Sequence, residues 1–260
     1  MLRLGCSLAL TLLLVVDSLV GGAAELGDFR IDSRVYIEPR PEPLARNTTI
    51  FSGDKVYDFA LEEPFEAAIF QTSSQLFVLI DESRQMQTHL SGDELLKFTA
   101  ALQVRAQGAS PLARFAAQPE LPVTWDASAQ QLVLSSPLWT YTVQTQPAPS
   151  AAAGGRYRLF ADWYARLNTT HPGALPPGPR LLLNAALLER HLLPLEIRRS
   201  ITLSGQATTV TRSQHDYHWQ LTHDDRQRLQ RADQHQARFE RVDLPTYLQP
   251  RIAARRSSSR

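Results

Sequence analysis

Between Phe29 and Ile80 the chain repeats one pattern: a short apolar or β-branched run, a tight turn, then a second run of similar length. Phe29, Ile31, Val35 and Ile37 fall on one side of an extended strand, and Arg30, Asp32 and Arg34 on the other. That period of two marks a half-buried strand. Pro39-Arg-Pro-Glu-Pro43 ends it, since proline cannot donate to a sheet ladder. Thr48-Thr-Ile-Phe51, Ser52-Gly-Asp54 and Lys55-Val-Tyr-Asp-Phe59 then read as strand, turn and returning strand. Ala67-Ala-Ile-Phe-Gln71, Thr72-Ser-Ser74 and Gln75-Leu-Phe-Val-Leu-Ile80 repeat the motif. Strands this short, joined by turns this tight, pair as an antiparallel meander.

Helical signals begin at Ser91. Ser91-Gly-Asp-Glu94 has capping-box spacing, and Leu95, Phe98 and Leu102 follow as an apolar stripe at helical spacing. A short helix is predicted at 111–117, and strand composition returns at Val123-Thr-Trp125, Gln131-Leu-Val-Leu134 and Trp139-Thr-Tyr-Thr-Val143. Residues 146–155, rich in Pro, Ser, Ala and Gly, read as a surface loop. Helices are predicted over 156–167 and 180–191, with loop between them, and a closing pair of strands over 195–203 and 207–221 around Ser204-Gly205. Thr222-His-Asp-Asp225 caps a polar helix running to about Gln236. The expected class is α+β: a curved, half-barrel-like antiparallel sheet covered by helices, in one domain over 25–245.

The two ends read differently from this body. A basic start (Met1-Leu-Arg-Leu), an apolar stretch (Leu8 to Val16) and the small residues Gly22 and Ala24 make residues 1–24 a secretory signal peptide, with cleavage between Ala24 and Glu25. The apolar run is interrupted by Asp17 and falls short of the about 20 residues of a membrane span. An uncleaved anchor is the competing reading. Residues 246–260 end in an Arg/Ser-rich tail that reads as disordered. The expected localisation is export, to a periplasm or the extracellular space, with no transmembrane helix in the mature chain.

Cys6 is the single cysteine, so cleavage leaves a chain that can form neither disulfides nor cysteine-based metal sites. A net charge of +1 argues against a nucleic-acid partner. The charge is nonetheless uneven: residues 25–140 hold 16 acids against 9 bases, and 141–260 hold 9 against 17. Two halves of one sheet would neutralise each other across their contact. The alternative is a basic end offered to an acidic partner in the envelope.

Chemistry-bearing motifs are sparse. His215, His218 and His223, with Asp216, Asp224 and Asp225, are the candidate metal ligands. On one extended strand His215 and His223 would lie about 26 Å apart, at about 3.3 Å per residue, so they share an ion only if the strand ends between them. A metal-dependent hydrolase built on residues 215–225 is therefore the alternative reading, and no cofactor is implied. The chain has no Gly-x-Ser-x-Gly elbow and no glycine-rich nucleotide loop. Glu62-Glu63 and Asp81-Glu82 sit in predicted turns, where carboxylates are solvated. Asn47-Thr-Thr and Asn168-Thr-Thr fit the glycosylation pattern and matter only in a eukaryotic secretory pathway. Trp125, Trp139, Tyr141, Trp163 and Tyr164 are candidates for core or for the wall of an apolar cavity.

The order of leader, alternating first strand, meander (Phe51, Val56-Tyr-Asp-Phe59, Ile69-Phe70, Phe77-Val-Leu-Ile-Asp81), helix, further strands and final hairpin resembles the periplasmic lipoprotein-carrier (LolA-like) family. The chain is also similar to secreted bacterial proteins that carry no assigned activity. The carrier resemblance implies a half-barrel plugged by helices around an apolar cavity, and hence a non-catalytic carrier or sensor of an apolar ligand. A partner-docking envelope scaffold is the third reading. The resemblance places no ligand-handling residue on this sequence.

Overall fold

The computed structural model describes residues 27–63, 65–203 and 205–249. The expected leader with its Ala24/Glu25 cleavage site and residues 250–260 of the expected 246–260 tail lie outside them, whereas Thr246 and Tyr247 of that tail are helical and Tyr247 is buried. The chain runs β1 (Phe29–Ile37), β2 (Ala45–Ser52), β3 (Lys55–Ala60), β4 (Glu66–Gln71), β5 (Leu76–Asp81), β6 (Met86–Ser91), α1 (Gly92–Gln107) and α2 (Pro111–Ala117). It continues through β7 (Val123–Asp126), β8 (Gln131–Ser135), β9 (Trp139–Pro147), α3 (Ala151–Leu167) and α4 (Gly178–Glu189). It closes with β10 (Leu192–Ile201), β11 (Thr209–His218), α5 (His223–Arg238), β12 (Glu240–Arg241) and α6 (Leu244–Tyr247). The described strands form one open, curved sheet in the order β12-β6-β5-β4-β3-β2-β1-β11-β10-β9-β8-β7. Every pairing is antiparallel except β12 with β6, so the expected α+β class holds.

The middle of the sheet is covered on both faces. Phe29, Phe51, Val56, Phe70, Phe77 and Leu90 point to the face that carries Leu95 of α1 and Phe160 and Trp163 of α3. Ile50, Tyr57, Phe59, Ile69, Val78 and Ile80 point to the other, where Leu229 and Ala232 of α5 pack. Two-sided burial explains why β4 and β5 read as continuous apolar runs rather than alternations. Cross-strand rings reinforce the inner face: Phe29 stacks on its register partner Phe51 at 4.2 Å, and Phe70 on Phe77 at 4.5 Å.

Both capping boxes form as their spacing predicts, Ser91 with Glu94 on α1 and Thr222 with Asp225 on α5. The predicted α1 stripe is shifted. Leu95 is buried with Thr99 and Ala106, whereas Phe98 is 40% exposed on the flank. The 146–155 loop is a second correction: β9 extends to Pro147, and Ser150 caps a helix that opens at Ala151. Three alanines after an N-cap serine outweigh the following glycine pair. Strand β6 had no sequence signature. It is held by Gln87, whose amide donates to the Gln236 and Phe239 carbonyls at 2.8 Å each, tying it to the end of α5.

The charge halves do not simply neutralise each other. Arg198–Glu38 runs in the expected sense, but Arg30–Asp225, Arg34–Asp216 and Lys55–Asp233 join N-terminal bases to C-terminal acids.

Gly178 fixes where α4 starts. A Cβ there would sit 2.5 Å from the Ala116 backbone carbonyl oxygen and 2.8 Å from the rigid Pro119 ring, neither of which moves aside cheaply. Gly→Ala in a helix ordinarily gains up to about 1 kcal/mol. Here Gly178→Ala is expected to cost about 2 kcal/mol through overpacking. A urea midpoint at or above the parent's would contradict this tight α2–α4 packing.

Candidate functional site

A cavity of about 840 Å³ lies between the centre of the sheet and the α3–α4 layer. Its floor comes from β1, β2, β3, β9, β10 and β11. Tyr157, Phe160, Ala161 and Tyr164 of α3, with the proline-rich segment before α4, form the roof. One residue in two along each floor strand faces inward, and at this point in the sheet several of those residues are polar. Asn47, Ser33 and His215 are register neighbours across β2, β1 and β11, and Asp58, Thr49 and Ile31 across β3, β2 and β1.

Asp58 is buried, and among the described residues no cation pairs with it. It accepts from the Thr49 hydroxyl at 2.6 Å and from the Asn47 amide and Tyr164 hydroxyl at 2.9 Å each. Burial pushes its carboxyl above the usual range, and these three donors offset that only in part. The Tyr164 phenol is in turn held well above its ordinary value by the Asp58 charge, then by burial. Asn47 is thus engaged inside the fold, so the Asn47-Thr-Thr glycosylation pattern is not presented at the surface, whereas Asn168 is exposed.

His215 sits deep under protein atoms yet keeps part of its surface open to the cavity. Nδ1 is 2.9 Å from Ser33 Oγ and Nε2 is 3.1 Å from Ser213 Oγ. Burial, then the nearby Arg180 charge, lowers its pKa to about 3, so the ring is neutral at physiological pH. An unfolded histidine titrates near about 6.5. The unfolded chain therefore takes up the proton first, and this site loses stability as pH falls from about 7 toward the folded value. His215→Gln is expected to flatten the decline of Tm between pH 7.5 and 4.5. Equal declines in parent and variant would contradict a buried neutral imidazole.

The other candidate ligands lie elsewhere. His218, on the opposite face of β11, contacts Asp32 at 3.1 Å, and His223, in the first turn of α5, contacts Gln227 at 2.8 Å. Asp225 pairs with Arg30, and Asp216 with Arg34. Among the described residues no group of three or more His, Cys, Asp or Glu side chains is placed to share a metal ion. Glu62 pairs with Arg46 at 2.6 Å. Asp81 is not the solvated turn residue expected: it is fully buried and accepts from the Arg84 backbone N–H and Nε at 2.9 and 2.7 Å. The aromatic candidates divide, with Trp139, Tyr141 and Tyr164 on the cavity, Trp163 in the core against Phe70, and Trp125 packed at the core's edge.

Sequence reasoning passed over Ser33, Asp58, Arg180 and Arg199. Asp58 alone carried a signal, a carboxylate inside an otherwise apolar strand run.

No family model matches the chain, and no curated protein matches it. Among solved structures it is similar to PNGF-II (11% identity, TM-score 0.34), over 85% of this chain and 32% of that one. It is also similar to the LolA superfamily protein NE2245 from Nitrosomonas europaea (10% identity, TM-score 0.30), over 77% of this chain and 89% of that one. The chain thus spans about a third of the PNGF-II length. Neither likeness brings a residue or an activity to this chain. Among the described residues no helix is long and apolar enough to cross a membrane.

Proposed function

We propose that the protein is a non-catalytic carrier or receptor that holds one small, mainly apolar molecule in this cavity, and that it works in the cell envelope after export. One observation carries the reading: a partly open cavity of about 840 Å³, roofed by aromatic side chains, in the size range of single-ligand pockets. Export is supported by the leader-like residues 1–24.

The cavity can be filled without touching the core. Ala165 lines the roof on α3 and Val35 the floor on β1, and neither is fully buried. Ala165→Trp and Val35→Phe are expected to weaken binding of a fluorescent apolar probe such as aminoanthracene at least tenfold, with Tm shifted by only a few degrees. Absence of binding by the parent, or equal binding by both filled variants, would sink the carrier reading.

A further inference from the structure

One end of the cavity holds positive charge with no counter-ion among the described residues. Arg199 on β10 is the register partner of Tyr141 on β9. Its guanidinium lies 5.4 Å over the Trp139 ring, and Nε donates to Thr211 Oγ1 at 3.0 Å. Arg180, in the first turn of α4, donates through Nε to Asn184 Oδ1 at 3.0 Å and through Nη2 to Tyr157 Oη at 3.1 Å. Both groups are half-buried and line the cavity, and neither pairs with a carboxylate among the described residues. The neighbouring acids are engaged elsewhere. Glu196 pairs with Arg212, and Asp162 with Arg158 and the Asn184 amide.

A third donor lies at the same end. Trp139 is 4% exposed, and its indole N–H, which lies near the Tyr141 hydroxyl, completes no hydrogen bond among the described residues. Both guanidiniums act on that same phenol. Half-buried cations and an unmet N–H donor are costly to leave without an acceptor. The cavity's own carboxyl, Asp58 on β3, lies four strands from Arg199 and five from Trp139, roughly 19 Å or more along the sheet at about 4.8 Å per strand, and pairs with neither guanidinium.

We propose that the Arg180–Arg199–Trp139 end is an anion subsite, and that the ligand is an amphiphile whose carboxylate or phosphate head docks there while its apolar body lies under α3. Guanidinium groups suit both heads, because their N–H donors match paired oxygens. This inference rests on the carrier reading and adds the head-group chemistry to it.

The test is calorimetric titration of the full protein with dodecanoate, dodecyl phosphate, dodecanol and dodecyltrimethylammonium. The parent, Arg180→Gln, Arg199→Gln and the double variant are compared. In the parent at least one anion is expected to bind ten times or more tighter than dodecanol, and the stronger of the two identifies the head. The double variant is expected to shrink that gap below threefold and leave dodecanol affinity unchanged. In the parent alone, raising salt from 50 to 500 mM is expected to weaken the anion and spare the alcohol, a readout that survives a variant that fails to fold. Equal binding of anion and alcohol, or an anion preference intact in the double variant, overturns the subsite and leaves the carrier reading standing. Absence of binding by all four probes overturns the carrier reading itself.

Discussion

Phe51→Ala is expected to remove about 4 kcal/mol of folding stability, within the range of about 3–5 kcal/mol for truncating a buried phenylalanine. Phe51 is fully buried on β2, where it joins three elements. Its ring stacks on Phe29 of β1 at 4.2 Å, meets Phe160 of α3 edge-on at 5.8 Å, and lies under the Arg156 guanidinium at 5.8 Å. Removing it opens a void where the sheet's centre touches the cavity roof. Neighbours in a packed interior relax into such a void only in part. Against a total of about 5–15 kcal/mol for a typical protein, this brings the chain close to unfolding. Urea denaturation measures it, with Phe51→Leu as a control that retains most of the volume. A loss below about 1 kcal/mol would mean that Phe51 does not hold α3 to the sheet.

Asp225→Ala is expected to cost about 3 kcal/mol, for two separate reasons. Asp225 closes the capping box of α5 by accepting from the Thr222 backbone N–H at 2.9 Å and its hydroxyl at 2.7 Å. It also takes both oxygens of its carboxylate to Arg30 Nη1 on β1, at 3.0 and 3.1 Å. The carboxylate is 3% exposed and Arg30 20% exposed, so truncation removes the more deeply buried of Arg30's two carboxylate partners, leaving Asp32 at 3.0 Å, and frees the start of the helix. Burial acts to raise the Asp225 pKa, and the Thr222 and Arg30 hydrogen bonds outweigh it, leaving the carboxyl below its ordinary range. The stability it supplies is therefore present above about pH 4 and lost as pH falls through the folded value. Acid titration of Tm should show that loss in the parent and not in Asp225→Ala. Matching acid limbs, with a neutral-pH loss under about 1 kcal/mol, would contradict the role assigned to the pair.

What the sequence reveals depends on how local the cause is. The meander is legible because each turn is a local event: Gly53, at φ +55, sits where Ser52-Gly-Asp54 predicts a reversal. Both capping boxes are legible for the same reason, since their partners lie three residues apart. Strand β6 is not, because its pairing depends on β5 and the end of α5, and most of its own residues are polar. The start of α3 is misread because Gly154-Gly155 looks like loop until Ser150 is recognised as a cap. The cavity is the least legible part. His215 reads as a metal candidate beside His218 and His223, yet the pleat turns His218 to the opposite face and a helix begins at His223. Its actual neighbours, Ser33 and Ser213, come from the β1–β11 register and from its own strand. Arg180, Arg199 and Trp139 belong to three elements and meet only after β9, β10 and α4 are in place.

The most direct test of a ligand-holding cavity is native mass spectrometry of the protein purified from an exporting host, parent beside Ala165→Trp. The expected result is a parent mass carrying one small organic adduct in stoichiometric amount, and a filled variant that carries none. A bare parent mass, or the same adduct on both proteins, would mean that the cavity under α3 is not where this protein holds its ligand.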